Sequence, residues 1–373
     1  MSVREGRRSR GKTWRIFAVS SALVAAACSG GPAPAAMHEA PPPPEDSDAG
    51  LRDAAIAEGA SDVADAPHAE GASDASVDAP KPPDAPTAES AAPPSGIFVA
   101  VGYGERRIRS TDGMTWTNDV FVEANGGDDD DLLRAVSYGG HQFVAVGWRV
   151  MTSPDGIAWT DHGVMSQWLG ALAWGKSMWV AVGGYGLRAT STDGVTYVDA
   201  TDTGTAAYRE IAFGDLAGGT WMAMGDGGRL STTTDGTTYA ELPAITLSGA
   251  TWGNGVFVGV VGANLESTSD GGSTWTVVGT APGSLDSVTY ANGQFVAVGS
   301  GNAMTSPDGT SWTPHTEPKL GGSVTYGNGV YATCGGGSCS TCCWYSEDGA
   351  IWSTASVPSG DANALQSVAF GGE

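Results

Sequence analysis

A short pattern of Ser or Thr, Asp, Gly and an aromatic residue recurs seven times along the last three-quarters of this chain. Its copies carry Asp112 with Trp116, Asp155 with Trp159, Asp193 with Tyr197 and Asp235 with Tyr239. Asp270 with Trp275, Asp308 with Trp312 and Asp348 with Trp352 complete the set. Successive aspartates lie 43, 38, 42, 35, 38 and 40 positions apart, a period near 39. A unit of that size, made of short apolar strands and turns, cannot bury its own faces and must pack against its neighbours. Radial repetition of a small sheet is the arrangement this predicts.

Each unit repeats one internal order. A first strand places an aliphatic and an aromatic residue two apart: Val136 and Tyr138, Leu172 and Trp174, Ile211 and Phe213, Ala250 and Trp252, Val288 and Tyr290, Val324 and Tyr326. A Gly-containing turn then leads into a nearly continuous apolar run, such as residues 143–147 or 295–299. An unbroken run of that length predicts a strand covered on both faces. Two shorter strands flank the Asp turn, for example over residues 304–306 and 311–313. Four antiparallel strands of this kind make one propeller blade.

The two ends of the domain predict how the ring closes. It begins at residues 97–102 with a second strand that lacks its first, and ends at residues 367–371 with a first strand that lacks its second. Joined, they complete a blade and remove an exposed sheet edge. The expected fold is therefore all-β: a seven-bladed β-propeller over residues 96–373, closed by strands from both termini sharing one blade.

Residues 1–95 do not fit that core. Arg4, Arg7, Arg8, Arg10, Lys12 and Arg15 precede an apolar stretch over residues 16–27, the layout of an export signal. Small residues ahead of Cys28 resemble the bacterial lipoprotein signal, which implies lipidation of Cys28. Ser29 follows in place of the Asp that holds many lipoproteins at the inner membrane. The expected location is the cell envelope, as an outer-membrane lipoprotein facing periplasm or exterior. Residues 28–95 are rich in Ala, Pro and Asp with no apolar periodicity, so they are expected to be a disordered linker.

Charge narrows the partners. Formal net charge is -23, and residues 96–373 hold 27 Asp plus Glu against 10 Lys plus Arg. Such a surface repels phosphate, which argues against nucleic acid and leaves a lipid as the only membrane link. A carbohydrate or protein ligand and a monomer are expected. No cofactor is called for.

Thr268-x-Asp270-x-Gly272-x-Thr274-Trp275 resembles the Asp-box, or BNR, repeat, and the other six copies are one residue shorter. The resemblance to Asp-box propellers covers residues 97–373. Those families include sialidases, other glycoside hydrolases, sortilin-like receptors and photosystem assembly factors. The resemblance implies that Asp112, Asp155, Asp193, Asp235, Asp270, Asp308 and Asp348 are structural, each holding its own turn at the outer edge. A sialidase would place three arginines on the substrate carboxylate, the first in an Arg-Ile-Pro string. Here residues 106–110 read Arg-Arg-Ile-Arg-Ser, without the Pro. No catalytic residue is assigned, and the reading favours a tethered binding module. The alternatives are a sialidase-like glycoside hydrolase, or an envelope assembly or scaffold factor.

Two further constellations stand out. Arg106, Arg149 and Arg229 share one register, four residues before the Ser or Thr of their Asp turns, and Arg188 is displaced by one. With Trp148, Tyr103 and Tyr185 in the same hairpins, they are candidates to bind an anionic ligand or a sugar; neutralising nearby carboxylates is the competing role. The acidic run at residues 128–131 lacks the spacing of a calcium loop and is expected to be a solvated loop, so no metal ligand is assigned. Cys334, Cys339, Cys342 and Cys343 stand together in the last repeat. The repeat alignment makes Cys334 and Cys343 cross-strand neighbours, favouring nested disulfides 334–343 and 339–342. A metal site and free thiols are the other possibilities.

Overall fold

The computed structural model describes residues 96–122, 129–200, 206–316, 320–336, 339–359 and 363–372, all within the second of the chain's two units, Asp84–Glu373. The export signal, Cys28, the linker and Asp128 lie outside the described residues. The described chain forms seven four-stranded antiparallel sheets. Their first strands are Leu365–Gly372 in blade one, Leu133–Gly139 in two, Leu169–Gly175 in three and Tyr208–Gly214 in four. Gly249–Gly253, Ser287–Ala291 and Ser323–Gly327 open blades five to seven. The molecule is the seven-bladed propeller that the repeats predict.

Closure follows the expected register. The strand Gly96–Gly102 pairs antiparallel with Leu365–Gly372, matching Phe98 to Phe370, Val99 to Ala369 and Ala100 to Val368. On its other side Gly96–Gly102 pairs with Arg107–Ser110. The N-terminal strand is thus interior to its sheet, with both rows of backbone groups used. Phe98, Val99, Ala100 and Val101 have no accessible surface, as the unbroken apolar run requires.

Adjacent blades pack through their first strands. A methyl group on Gly139 would fall 2.3 Å from the Trp174 ring of the next blade, and one on Gly371 would fall 2.0 Å from Tyr138. The glycine that ends each of these strands is therefore a floor for the aromatic of the following blade. Gly175 under Phe213, Gly214 under Trp252, Gly253 under Tyr290 and Gly327 under Phe370 repeat the contact around the ring. Blade six alone substitutes Ala291 at this position. The requirement is close approach, not backbone freedom, since Gly139 and Gly371 have no positive φ.

Six of the seven Asp turns share one geometry, and the turn of blade five, one residue longer, is a variant in which Asp270 holds the Thr274 amide and hydroxyl. In blade one the Ser110 hydroxyl donates to Asp112 and accepts from the Gly113 amide, while Asp112 Oδ1 accepts from the amides of Met114 and Thr115. Trp116 Nε1 closes the turn on Gly113 O, and Trp159, Trp312 and Trp352 do the same in their blades. In those three blades the fourth strand begins only after the indole, later than the sequence pattern suggests, because the indole belongs to the turn. The hydrogen bonds hold all seven carboxyls below the ordinary carboxylate range. Asp193 falls to about 2 through the Thr196 and Val195 amides and the Ser191 hydroxyl. Asp270 falls to about 2 chiefly through the Thr274 hydroxyl and amide. At Asp112 and Asp348 desolvation is the largest single influence and opposes this, but the summed hydrogen bonds outweigh it.

An acid titration of stability follows from these turns. A carboxyl lowered on folding contributes stability that is complete above its unfolded value, about 4. That contribution is lost as pH falls through the folded value. Urea melts should therefore weaken steadily between about pH 4 and about pH 2, as the turn aspartates protonate. A melt unchanged down to pH 2 would show that the turns do not bear on stability.

In blade seven Cys334 is bonded to Cys343 and Cys339 to Cys342, the nested pairing. The first bond joins directly paired residues of Val330–Cys334 and Cys343–Ser346, and both cysteines are fully buried. Among the described residues, two of the three histidines play matching roles in their blades: His162 hydrogen-bonds Thr152 and His315 hydrogen-bonds Thr305.

Candidate functional site

The Asp turns occupy one end of the ring. At the other end lie the starts of the first strands, the hairpins between second and third strands, and the connections between blades. These three sets are stitched together by backbone hydrogen bonds such as Tyr103 N to Ala364 O, Gly184 N to Trp168 O, Asp226 N to Ala207 O and Leu285 N to Gly262 O. The stitching makes this face rigid although it is built from loops.

The four sequence-selected arginines lie on this side, and their carboxylate partners divide them into two groups. Arg106 has no accessible surface; it grips Asp119 through Nε and a terminal nitrogen, both at 3.0 Å, and donates to Asn363 O at 2.8 Å. Arg149 pairs with Asp161 at 2.7 Å, with Glu105 at 3.2 Å and with Asp131 at 3.8 Å. Glu105 is buried in a left-handed backbone conformation, φ 53°. Desolvation pushes its carboxyl up, against the pull of Arg107 and Arg149. In the second group Arg188 donates to Tyr208 Oη and to Glu241, which also lies 3.8 Å from Arg229. The Arg188 guanidinium stands 4.2 Å from the Tyr239 ring centre, and Arg229 stands 4.6 Å from that of Tyr208. The chain's own acidic groups therefore engage these arginines, and their burial follows from that pairing.

A different set gathers at the mouth of the central channel. Trp168, in the connection into blade three, lies between two guanidiniums: Arg134 of blade two at 4.6 Å and Arg209 of blade four at 4.9 Å from its ring centre. Arg209 is fixed by a two-point pair with Asp226, at 2.9 and 2.8 Å. Trp168 also packs against Gly184, where a methyl group would fall 2.6 Å from the indole nitrogen. The next residue, Tyr185, is 65% exposed and sits at φ 53°. Blades one and four place Gly104 and Gly227 in the same hairpin conformation. A tyrosine held where glycine is preferred, with its ring in solvent, is a strained choice that packing does not explain. Trp148 and Tyr103 are only partly exposed.

Beneath this rim the channel encloses a cavity of about 250 Å³, lined by the starts of the first strands. Three residues before the aromatic of each first strand stand Ala135, Ala171, Gly249, Ser287, Ser323 and Ser367, and, in blade four, Glu210. Arg134, Trp168, Arg209 and Glu210 were missed by sequence reading, although this column of small residues interrupted by one carboxylate is readable once the repeats are stacked. Among the described residues no group of three or more His, Cys, Asp or Glu is placed to hold a metal ion.

No family model matches the chain, and no curated protein does. Among solved structures the chain is similar to YCF48 bound to a D1 peptide, at 18% identity and a TM-score of 0.45, over 58% of this chain and 77% of that one. A chain of a nidogen/laminin complex aligns at 12% identity and 0.47, over 74% and 98%. The computationally designed Ika8 protein aligns at 11% and 0.47, over 73% and 90%.

Proposed function

We propose that this propeller is a binding module that takes a segment of a partner protein on its channel-mouth face and performs no chemistry on it. One observation carries the reading: Trp168 clamped between Arg134 and Arg209, beside the projecting Tyr185. Trp, Tyr and Arg are the side chains that dominate protein interfaces, and here they are held in place before any partner arrives. An anionic ligand at Arg149 or Arg229 would instead have to displace Glu105, Asp161 or Glu241. The Asp turns support kinship with Asp-box propellers, and a scaffold role in the envelope is compatible with the same face.

A display library of random peptides and a glycan array, both presented to the full chain, test this. Selected peptides should bind, and Trp168→Ala or Tyr185→Ala should weaken them by about 2 kcal/mol or more. Asp155→Asn should leave the affinity of the folded fraction unchanged. Saturable glycan binding without peptide binding would transfer the site to carbohydrate, and turnover of a fluorogenic glycoside would make the protein an enzyme.

The tether is part of the same proposal. Cys28 would carry a lipid, and residues 29–95 would hold the ring off the membrane. Detergent but not salt should release the protein from cell membranes, and Cys28→Ser should leave it soluble. A Cys28→Ser protein that stays in the membrane fraction rules the lipid out.

A further inference from the structure

We propose that the central channel is a receptor for an organic cation, the ammonium or guanidinium group of a lysine or arginine on the bound segment, with Glu210 as its counter-ion. This rests on the channel-mouth face being the partner site, and it adds what the partner must carry.

The ring itself has no need of a carboxylate at this position. Where the column holds serine, the hydroxyl accepts from a backbone amide of the following blade: Ser367 from Val136 N, Ser287 from Val324 N and Ser323 from Val368 N. These bonds satisfy amides on the inner edge of the first strands, which no other strand covers. Elsewhere the column is Ala or Gly, so the fold also tolerates no polar group there. Glu210 does neither job. Among the described residues it has no hydrogen-bond or ion-pair partner, although it lines the cavity. Its side chain reaches solvent, yet protein surrounds it across the channel. The protein crowded around the channel desolvates the carboxyl and pushes it up to about 7, although the side chain itself is exposed. An accessible carboxylate that lines the channel cavity without a partner, in a column where the fold needs none, is poised for a ligand that brings the missing charge.

The rest of the cavity agrees with an organic cation. The charged groups facing it are Arg134 from blade two, turned onto Trp168, and Asp286 from blade six, whose Oδ2 accepts from the Gly322 amide. Arg209, in Glu210's own strand, is tied to Asp226. Blades three, five, seven and one contribute no charged residue to the cavity lining. An antiparallel ladder turns a residue's N–H and C=O to the same side, so the carbonyls of Val136, Val324 and Val368 share the inner edge as further acceptors. An ammonium has three donors to place, and a four-carbon stem is narrow enough for a cavity of about 250 Å³, smaller than pockets for larger ligands. A hard divalent ion would want about six or more oxygens, and one carboxylate without a partner is a poor start for that.

Agmatine, titrated calorimetrically into the full chain, is the test. Wild type should bind it at about pH 8 and at least about tenfold more weakly at about pH 5.5, because protonated Glu210 no longer supplies the counter-charge. Glu210→Gln should weaken binding about tenfold to hundredfold at the higher pH. Glu210→Ser, which reproduces the side chain of blades one, six and seven, guards against a folding defect and should do the same. Undiminished binding in both variants, or no binding by wild type at about pH 8, would overturn the inference. So would calcium chloride competing agmatine away at lower concentration, which would make the site inorganic. Face-selected peptides that bind Glu210→Ser as tightly as wild type would also sink it, while leaving the channel-mouth reading intact.

Discussion

Removal of residues 364–373 should abolish the cooperative melt and drive the protein to aggregate. The deletion takes away the inner strand of blade one and strips Gly96–Gly102 of the seven-pair ladder it makes with Leu365–Gly372. It also takes Phe370 off the Gly327 floor and Gly371 from beneath Tyr138, so both neighbouring blades lose contacts. Buried amides and carbonyls without partners cost about 1–3 kcal/mol each, and several are left at once. The exposed edge of a fully apolar strand would then seek another chain. Scanning calorimetry with light scattering reads both effects. A truncated protein that melted sharply near the parent temperature would show that the ring does not depend on this ladder.

Arg106→Ala should be the most damaging single substitution among the hairpin arginines, lowering stability by about 3–5 kcal/mol in urea melts. It leaves Asp119, whose side chain is only 10% exposed, without its two-point partner. It also frees the carbonyls of Asn363 and Pro358, which belong to the segment returning the chain to the closing strand. Arg106→Lys should recover little, since an ammonium cannot match the carboxylate fork. Replacing Arg106 and Asp119 together by leucine should recover much of the loss, because no buried charge is then unpaired. A single Arg106→Ala variant within about 0.5 kcal/mol of wild type, the range of an ordinary surface change, would refute the structural role.

The architecture could be read from residues alone because every part of it is local and repeated. Alternation in 136–138, the unbroken run 143–147 and the Asp155 turn each state their own conformation, and seven copies leave one way to assemble them. The unmatched half-blades at the two ends declare closure by the same logic. The nested cysteines were legible too, since stacking the repeats places Cys334 opposite Cys343.

The proposed binding surface was not legible in the same way, because its residues are distant in sequence and none is repeated. Arg106 and Arg149 look like ligand-binding groups in a hairpin register until the neighbouring carboxylates Asp119, Asp161 and Glu105 are placed against them. Which charges are satisfied depends on blade-to-blade packing, and no local pattern encodes that. Arg134, Trp168 and Arg209 come from three consecutive blades and meet only when the ring closes. The terminal glycines of the first strands read as turn residues, yet Gly139 and Gly371 are there to admit an aromatic ring from the next blade. Sequence thus determined the number of blades, their strands and the manner of closure, through periodicity and turn chemistry acting within about 40 residues. Tertiary structure alone decided which polar groups are spent on the fold and which, like Glu210, remain in the channel without a partner, because electrostatic pairing acts through space and ignores chain distance.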